Sequence, residues 1–276
     1  MIIPGGCRGE HMRVERPAIG MFDSGVGGLG VFQAVRRTLS DQSIVYVAGN
    51  KYFPFGEKTP EQLQIISENI VNFLIEEHNV KMVVIACNTA TVSSLAYLRS
   101  KFTIPFVGVV PVVKPACELT KTGCVAILST PVTAQSAYIQ ELIKKFGQGK
   151  RVLSLGCPGL VDIIESGKLD TPELEILLRT FIEPALEQKA DIIGLCCTHY
   201  PFMREQLQKI VGPTVTILDS NEPVAQQVKR VLALNTQPGA LGAEYKFYAT
   251  KDAQKFESVA RGLIGDVVKD VELAVL

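Results

Sequence analysis

Two apolar runs, each ending on a cysteine followed by polar residues, constrain this chain more than any other feature. Lys81 to Ala86 leads into Cys87-Asn88-Thr89, and Asp191 to Leu195 leads into Cys196-Cys197-Thr198-His199. Both runs are short and rich in β-branched residues, as expected of parallel strands covered on both faces. Each thiol then sits at the carboxyl end of a buried strand, where open α/β sheets bind small ligands. Two such thiols from two similar halves predict a cleft with one sulfur on each wall. That geometry suits moving a proton from one face of a carbon to the other.

Short apolar runs alternate with amphipathic stretches along the rest of the chain, the signature of βαβ units. Beyond the two runs above, strands are expected from Ala18 to Phe22, Ser43 to Ala48, Phe106 to Val110, Cys124 to Leu128, Arg151 to Leu155 and Thr214 to Leu218. Helices are expected near Val31 to Leu39, up to about His78, from Cys87 to Lys101, from Pro131, from Pro158 to Ser166 and from Thr171 to Gln188. Thr59-Pro60-Glu61-Gln62 supplies an N-cap, a proline at the first helical position and a capping-box partner. Pro111 and Pro115 interrupt the pattern, which then begins again. Asp23-Ser24 falls opposite Ser129-Thr130 and Cys87 opposite Cys197, as in a duplicated unit. The expected fold is α/β: two similar parallel-sheet domains related by pseudo-two-fold symmetry, with the site in the cleft between them. The first domain takes 13–115 plus 223–276, whose strand near Glu244 to Tyr248 and terminal helix must return to it. The second takes 116–222. Residues 1–12, including Cys7 and His11, carry no periodicity and read as a loose N-terminal extension.

Charge excludes several functions. Lysine plus arginine and aspartate plus glutamate number 28 each, so neither a nucleic-acid surface nor a membrane patch is expected. Neither a spanning apolar stretch nor a secretory leader is read, and a cytoplasmic protein is expected. Seven cysteines in a chain of 276 residues suggest free thiols in a reducing compartment rather than a disulfide framework.

Gly25-Val26-Gly27-Gly28-Leu29-Gly30 satisfies the G-x-G-x-x-G spacing of dinucleotide sites. The second strand, however, ends in Ala48-Gly49-Asn50 without the acidic residue that would hold a ribose. Glycines that merely permit a tight turn are the plain alternative. A third reading suits the chain better: the turn offers backbone N–H groups and a helix N-terminus to a carboxylate, with Asp23 and Ser24 facing the cleft. Zinc is disfavoured, because Cys196, Cys197 and His199 lack the spacing of a closed site. Of three histidines, His11 lies in the extension, His78 at the exposed end of a helix, and only His199 in a motif. Cys117, Cys124 and Cys196 read as buried small hydrophobes. Cys87 and Cys197 are the candidates for chemistry.

Abstracting an α-proton from an amino acid needs a base held close, and inversion needs an acid on the opposite face. A free thiol pKa of about 8.5 lets modest neighbours make one sulfur a thiolate while the other stays protonated. Asp23 is the expected neighbour of Cys87, and His199 of Cys197, with Glu165 placed to orient His199.

Phe22 to Leu29, Pro54-Phe55-Gly56, Ala86-Cys87-Asn88-Thr89-Ala90, Thr130 with Thr133, and Cys197-Thr198-His199-Tyr200-Pro201 together resemble the motif series of the bacterial glutamate racemases. The motifs appear in that family's order from Met21 to about Leu234. The resemblance implies interconversion of L- and D-glutamate without a cofactor, supplying D-glutamate for peptidoglycan and hence for cell-wall biogenesis and cell shape. It implies that Cys87 acts on the D-enantiomer and Cys197 on the L-enantiomer, assisted by Asp23 and by His199 with Glu165. Ser24, Pro54, Phe55, Gly56, Asn88, Thr89, Thr130, Thr133 and Thr198 would then bind substrate. Neutral donors of this kind fix a dianion without binding it too tightly in every state.

Three positions depart from the family pattern. Phe55 stands where tyrosine is usual, Gly49 where aspartate is common, and Cys196 where glycine normally precedes the second cysteine. Phe53-Pro54-Phe55-Gly56-Glu57-Lys58 is close to a segment of members that respond to a peptidoglycan precursor, so such an activator is an expected partner beside glutamate. Monomer and homodimer are both left open. The alternatives are racemisation of aspartate or another acidic amino acid, a decarboxylase relative with a single catalytic cysteine, and an inactive protein that binds glutamate or a precursor.

Overall fold

The computed structural model describes residues 18–233 and 242–276. The expected extension over 1–12, with Cys7 and His11, lies outside the described residues.

In chain order the elements are β1 (Ile19–Asp23), α1 (Leu29–Thr38), β2 (Ile44–Ala48), α2 (Pro60–Glu76), β3 (Met82–Ile85), α3 (Asn88–Lys101), β4 (Phe106–Gly108) and α4 (Val113–Leu119). They continue with β5 (Cys124–Ser129), α5 (Pro131–Gln135), α6 (Ala137–Phe146), β6 (Arg151–Gly156), α7 (Leu160–Glu165), α8 (Pro172–Glu187), β7 (Ile192–Leu195), α9 (Arg204–Val211) and β8 (Thr216–Leu218). The chain closes with α10 (Asn221–Ala233), β9 (Tyr245–Ala249), α11 (Ala253–Ile264) and β10 (Glu272–Leu273). Short 3-10 turns cover Asn50–Tyr52, Phe55–Glu57 and Tyr200–Met203.

The strands form two sheets, ordered β10-β9-β2-β1-β3-β4 and β6-β5-β7-β8, and every pairing is parallel. The series β2-β1-β3-β4 in one sheet repeats as β6-β5-β7-β8 in the other, which is the expected duplication. In each sheet the chain steps to one side of the first strand and then to the other. The resulting crevices open at the carboxyl ends of β1 and β3 and of β5 and β7, the switch points where such sheets bind ligands. All five residues of β1 and all four of β3 and of β7 are buried. Burying each Val, Leu or Ile side chain there contributes roughly 1.5–3 kcal/mol. The last segment returns to the first sheet: β9 pairs with β2 from Ile44↔Tyr245 to Ala48↔Ala249, and α10 packs on α1.

Some local expectations change. Pro115 does not interrupt the chain after β4. It is the third residue of α4, where its missing N–H falls among donors that have no intrahelical partner. The helix expected from Pro131 is divided at Ser136, which is extended (φ −65°, ψ 143°) and accepts the Ile139 N–H on its side chain as the cap of α6. His78 is not an exposed helix end: it is half-buried against the rings of Phe73 and Tyr248. No helix among the described residues is long and apolar enough to cross a membrane.

Candidate active site

Cys87 follows β3 with extended backbone (φ −141°, ψ 125°) and occupies the N-cap position of α3. The Ala86 N–H donates to the Phe22 carbonyl at 2.8 Å, so the strand pairing holds up to the residue before the thiol. On the neighbouring strand, Asp23 is wholly buried. Its Oδ2 accepts the Gly28 N–H at 2.9 Å, while Oδ1 is buried without a hydrogen-bond partner. Burial pushes the Asp23 carboxyl up; the charge of His199, the Cys87 thiol and the N–H groups of Ser24 and Gly28 oppose it. Cys87 is pushed well up, first by burial and then by the charge of Asp23. Its resting form is therefore the neutral thiol.

On the other wall, the Cys196 N–H donates to the Leu128 carbonyl at 2.7 Å, which ties the segment leaving β7 to β5. His199 then turns back so that Nδ1 lies 3.8 Å from Cys197 Sγ. Its Nε2 lies 2.6 Å from Glu165 Oε1, at the end of α7. Burial draws the imidazole down, but hydrogen bonds to Cys197 and Glu165 and the charges of both outweigh it, so His199 is held well above its ordinary value. The fully buried Tyr200 donates its hydroxyl to the carbonyls of Ser129 (3.1 Å) and Cys157 (3.2 Å), clasping the ends of β5 and β6 beneath this loop.

Both sulfurs line one cavity of about 330 Å³. The two residues are buried, 6% and 7% exposed. Ser24, Pro54, Phe55, Gly56, Asn88, Thr89, Thr130, Thr133, Thr198 and His199 also line it. Asp23 and Glu165 do not; they stand behind Cys87 and His199. Thr130 donates its hydroxyl to Thr133 Oγ1 at 2.9 Å and, as the N-cap of α5, accepts the Thr133 N–H. Asn88 is more telling. Its side-chain oxygen and nitrogen are both buried without a partner inside the protein, the state of a group awaiting a ligand. No lysine or arginine is among the lining residues, so polar donors and helix ends must hold any anion bound here.

Several wall residues escape sequence reasoning: Phe53, Glu57, Pro131, Val132, Pro158, Gly159, Val161 and Asp162. Pro131, Val132, Pro158, Gly159, Val161 and Asp162 belong to no recognisable chemical pattern and reach the cavity because α5 and α7 begin at its rim, whereas Phe53 and Glu57 come from the short turn around Phe55. Cys157 and Cys196 line it too, as neutral thiols that burial pushes up to about 12. Phe55 is buried with Cζ only 2.9 Å from where a Cβ on Gly49 would stand, so these two departures from the family pattern fill one another's space. Tyr46 does not replace the missing hydroxyl in the cavity: it donates to the Gly25 carbonyl at 2.7 Å. Among the described residues no group of three or more His, Cys, Asp and Glu side chains is arranged to hold a metal ion.

The glycine-rich turn is filled differently from the expectation. Its Val26 and Gly28 N–H groups are bonded to the protein's own carboxylates, Glu165 and Asp23, rather than left open to a ligand.

The profile of the Asp/Glu/Hydantoin racemase family matches residues 29–228. Glutamate racemase of Roseiflexus sp. (strain RS-1) is 40% identical over 253 residues, covering 89% of this chain and 91% of its own length. That of Pseudomonas entomophila (strain L48) is 43% identical over 220 residues, covering 79% and 83%. Among solved structures, a glutamate racemase isoform of Bacillus anthracis superposes with a TM-score of 0.85 at 30% identity, covering 95% of this chain and 98% of that one. The Escherichia coli glutamate racemase, solved with L-glutamate and the activator UDP-MurNAc-ala, gives 0.84 at 31%, covering 95% and 99%.

Proposed function

The chain belongs to the Asp/Glu/Hydantoin racemase family, and from that premise we propose that it interconverts L- and D-glutamate by proton transfer between Cys87 and Cys197. One observation carries this reading: two buried thiols open on a single cavity, each backed by its own acid–base group. With L-glutamate bound, a Cys197 thiolate beside protonated His199 takes the α-proton, and the Cys87 thiol returns a proton to the opposite face. The S–H bond formed on Cys197 and the one broken on Cys87 balance. In the reverse direction Cys87 must first be deprotonated, and Asp23 as the carboxylate receives that proton, burial raising its affinity for it. Ser24, Asn88, Thr89, Thr130, Thr133 and Thr198, with the backbone around Gly56, hold the substrate's carboxylates and ammonium, and Pro54 and Phe55 line the same space. Helix N-termini at Asn88 and Pro131 add favourable dipoles for the carboxylates.

The same reading includes a cytoplasmic enzyme that supplies D-glutamate for peptidoglycan. It includes a response to a UDP-linked precursor, supported by the Phe53–Lys58 segment and by the activator in the Escherichia coli relative. It also divides the chain into 13–115 with 223–276 and 116–222, supported by the repeated strand order.

Racemisation in deuterated water tests the chemistry. Each turnover exchanges the substrate hydrogen for one carried by the opposite sulfur, so product is expected to carry deuterium at the α-carbon, read by mass spectrometry alongside a circular dichroism assay. Unlabelled product would exclude the two-thiol route.

A further inference from the structure

Neither nucleotide binding nor substrate binding accounts for the glycine-rich turn between β1 and α1. Its Val26 N–H reaches across 139 residues of sequence to Glu165 Oε1 at 2.8 Å, and that same oxygen lies 2.6 Å from His199 Nε2. One atom thus joins the first wall's backbone to the second wall's imidazole. Gly25 and Gly27 are not among the residues of positive φ, so backbone geometry does not require glycine at either. Space does. A Cβ on Gly25 would lie 1.9 Å from Glu165 Oε1 and 2.6 Å from its Cδ; one on Gly27 would lie 2.4 Å from His199 Nδ1 and 2.5 Å from its Cε1. Real Cβ contacts do not come that close. The two glycines leave a footprint into which the Glu165–His199 pair seats.

We infer that this turn is a cradle for the acid–base pair of the opposite wall, which makes Gly25, Val26 and Gly27 positioning residues for proton transfer at Cys197. The inference rests on the racemase reading and deepens it. A carboxylate that orients an imidazole is fixed only as well as its own remaining bonds fix it, and here the remaining bond is the Val26 N–H. The pair is therefore complete only while the two walls touch. The ionisable groups facing His199 are Glu165 from α7, Cys197 from the segment after β7, and Asp23 from β1. Displacing Glu165 removes one of the two contacts that hold the imidazole up.

A double-mutant cycle of Gly25→Ala and Glu165→Ala separates this role from a merely structural one. The readouts are kcat and KM in both directions, the thermal transition, and the His199 titration followed by NMR in histidine-labelled protein. In the native background Gly25→Ala is expected to lower kcat on the order of ten-fold, with a smaller change in KM, and to move the His199 titration down. In the Glu165→Ala background the atoms that the new Cβ would strike are gone. There the same substitution should change kcat by less than about two-fold and leave the titration unmoved. Equal losses in both backgrounds, or a titration unaffected by Gly25→Ala alone, would overturn the cradle. If Gly25→Ala is too unstable to assay, restoration of its thermal transition by Glu165→Ala supports the cradle, and no restoration overturns it. A native protein inactive on glutamate would refute the racemase reading, while the titration and thermal cycle would still judge the cradle.

Discussion

Asp23 is a carboxyl group whose charge is penalised by its surroundings. It is wholly buried, one of its oxygens has no partner, and burial raises it above the ordinary 3.8 despite the opposing charge of His199. A group raised in this way is a penalty on the fold when ionised. The penalty is absent below the ordinary value, where both folded and unfolded forms are protonated, and is complete once pH exceeds the raised value. Asp23→Asn is therefore expected to raise the thermal transition at neutral pH, with the gain vanishing below about pH 3.8. The same change removes the proton acceptor behind Cys87, so turnover of D-glutamate should fall by roughly 10²-fold or more. Calorimetry across pH, paired with the racemisation assay, checks both halves; a variant less stable at pH 7 would mean that the buried charge is better compensated than its surroundings indicate.

At the scale of elements, legibility follows the strength of the local signal. Thr59-Pro60-Glu61-Gln62 announces α2, and the structure shows both halves of the capping box: the Gln62 N–H on Thr59 Oγ1 at 3.3 Å and the Thr59 N–H on Gln62 Oε1 at 3.0 Å. Thr59→Ala should accordingly cost about 1 kcal/mol, measured as a lowered denaturation midpoint; an unchanged midpoint would mean that tertiary packing alone holds the start of α2. The apolar runs ending at Cys87 and Cys197 are equally plain, because burial on both faces leaves little freedom in composition. What stayed hidden depends on local backbone choices that composition does not mark and on tertiary contacts. Pro115 reads as a breaker yet sits in the first turn of α4, and Ser136 divides α5 from α6 by local capping inside a continuous amphipathic pattern. The glycine turn has the composition of an anion receptor, and nothing local says that the anions it receives are Asp23 and Glu165. Val161 and Asp162 reach the cavity only through the placement of α7 against the other wall.

The whole molecule presents a problem of access. Cys87 and Cys197 belong to different sheets, both are almost fully covered, and the space they share measures about 330 Å³. Any separation of the two walls would part Val26 from Glu165 and expose the sulfurs together. Alkylation by iodoacetamide should report that opening, because the reagent needs both access and a thiolate. Cys117 and Cys124 are buried away from the cavity and provide an internal reference within the same chain. Mass-spectrometric mapping is expected to find Cys197 modified in the free protein and Cys87 more slowly, its thiol being held neutral, with both protected by saturating glutamate and Cys117 and Cys124 unmodified in either state. Glutamate filling the space between the walls should protect both sulfurs at once, although they lie on opposite sides. Protection of one sulfur alone would mean that glutamate contacts a single wall, and the proton could not then pass between the two.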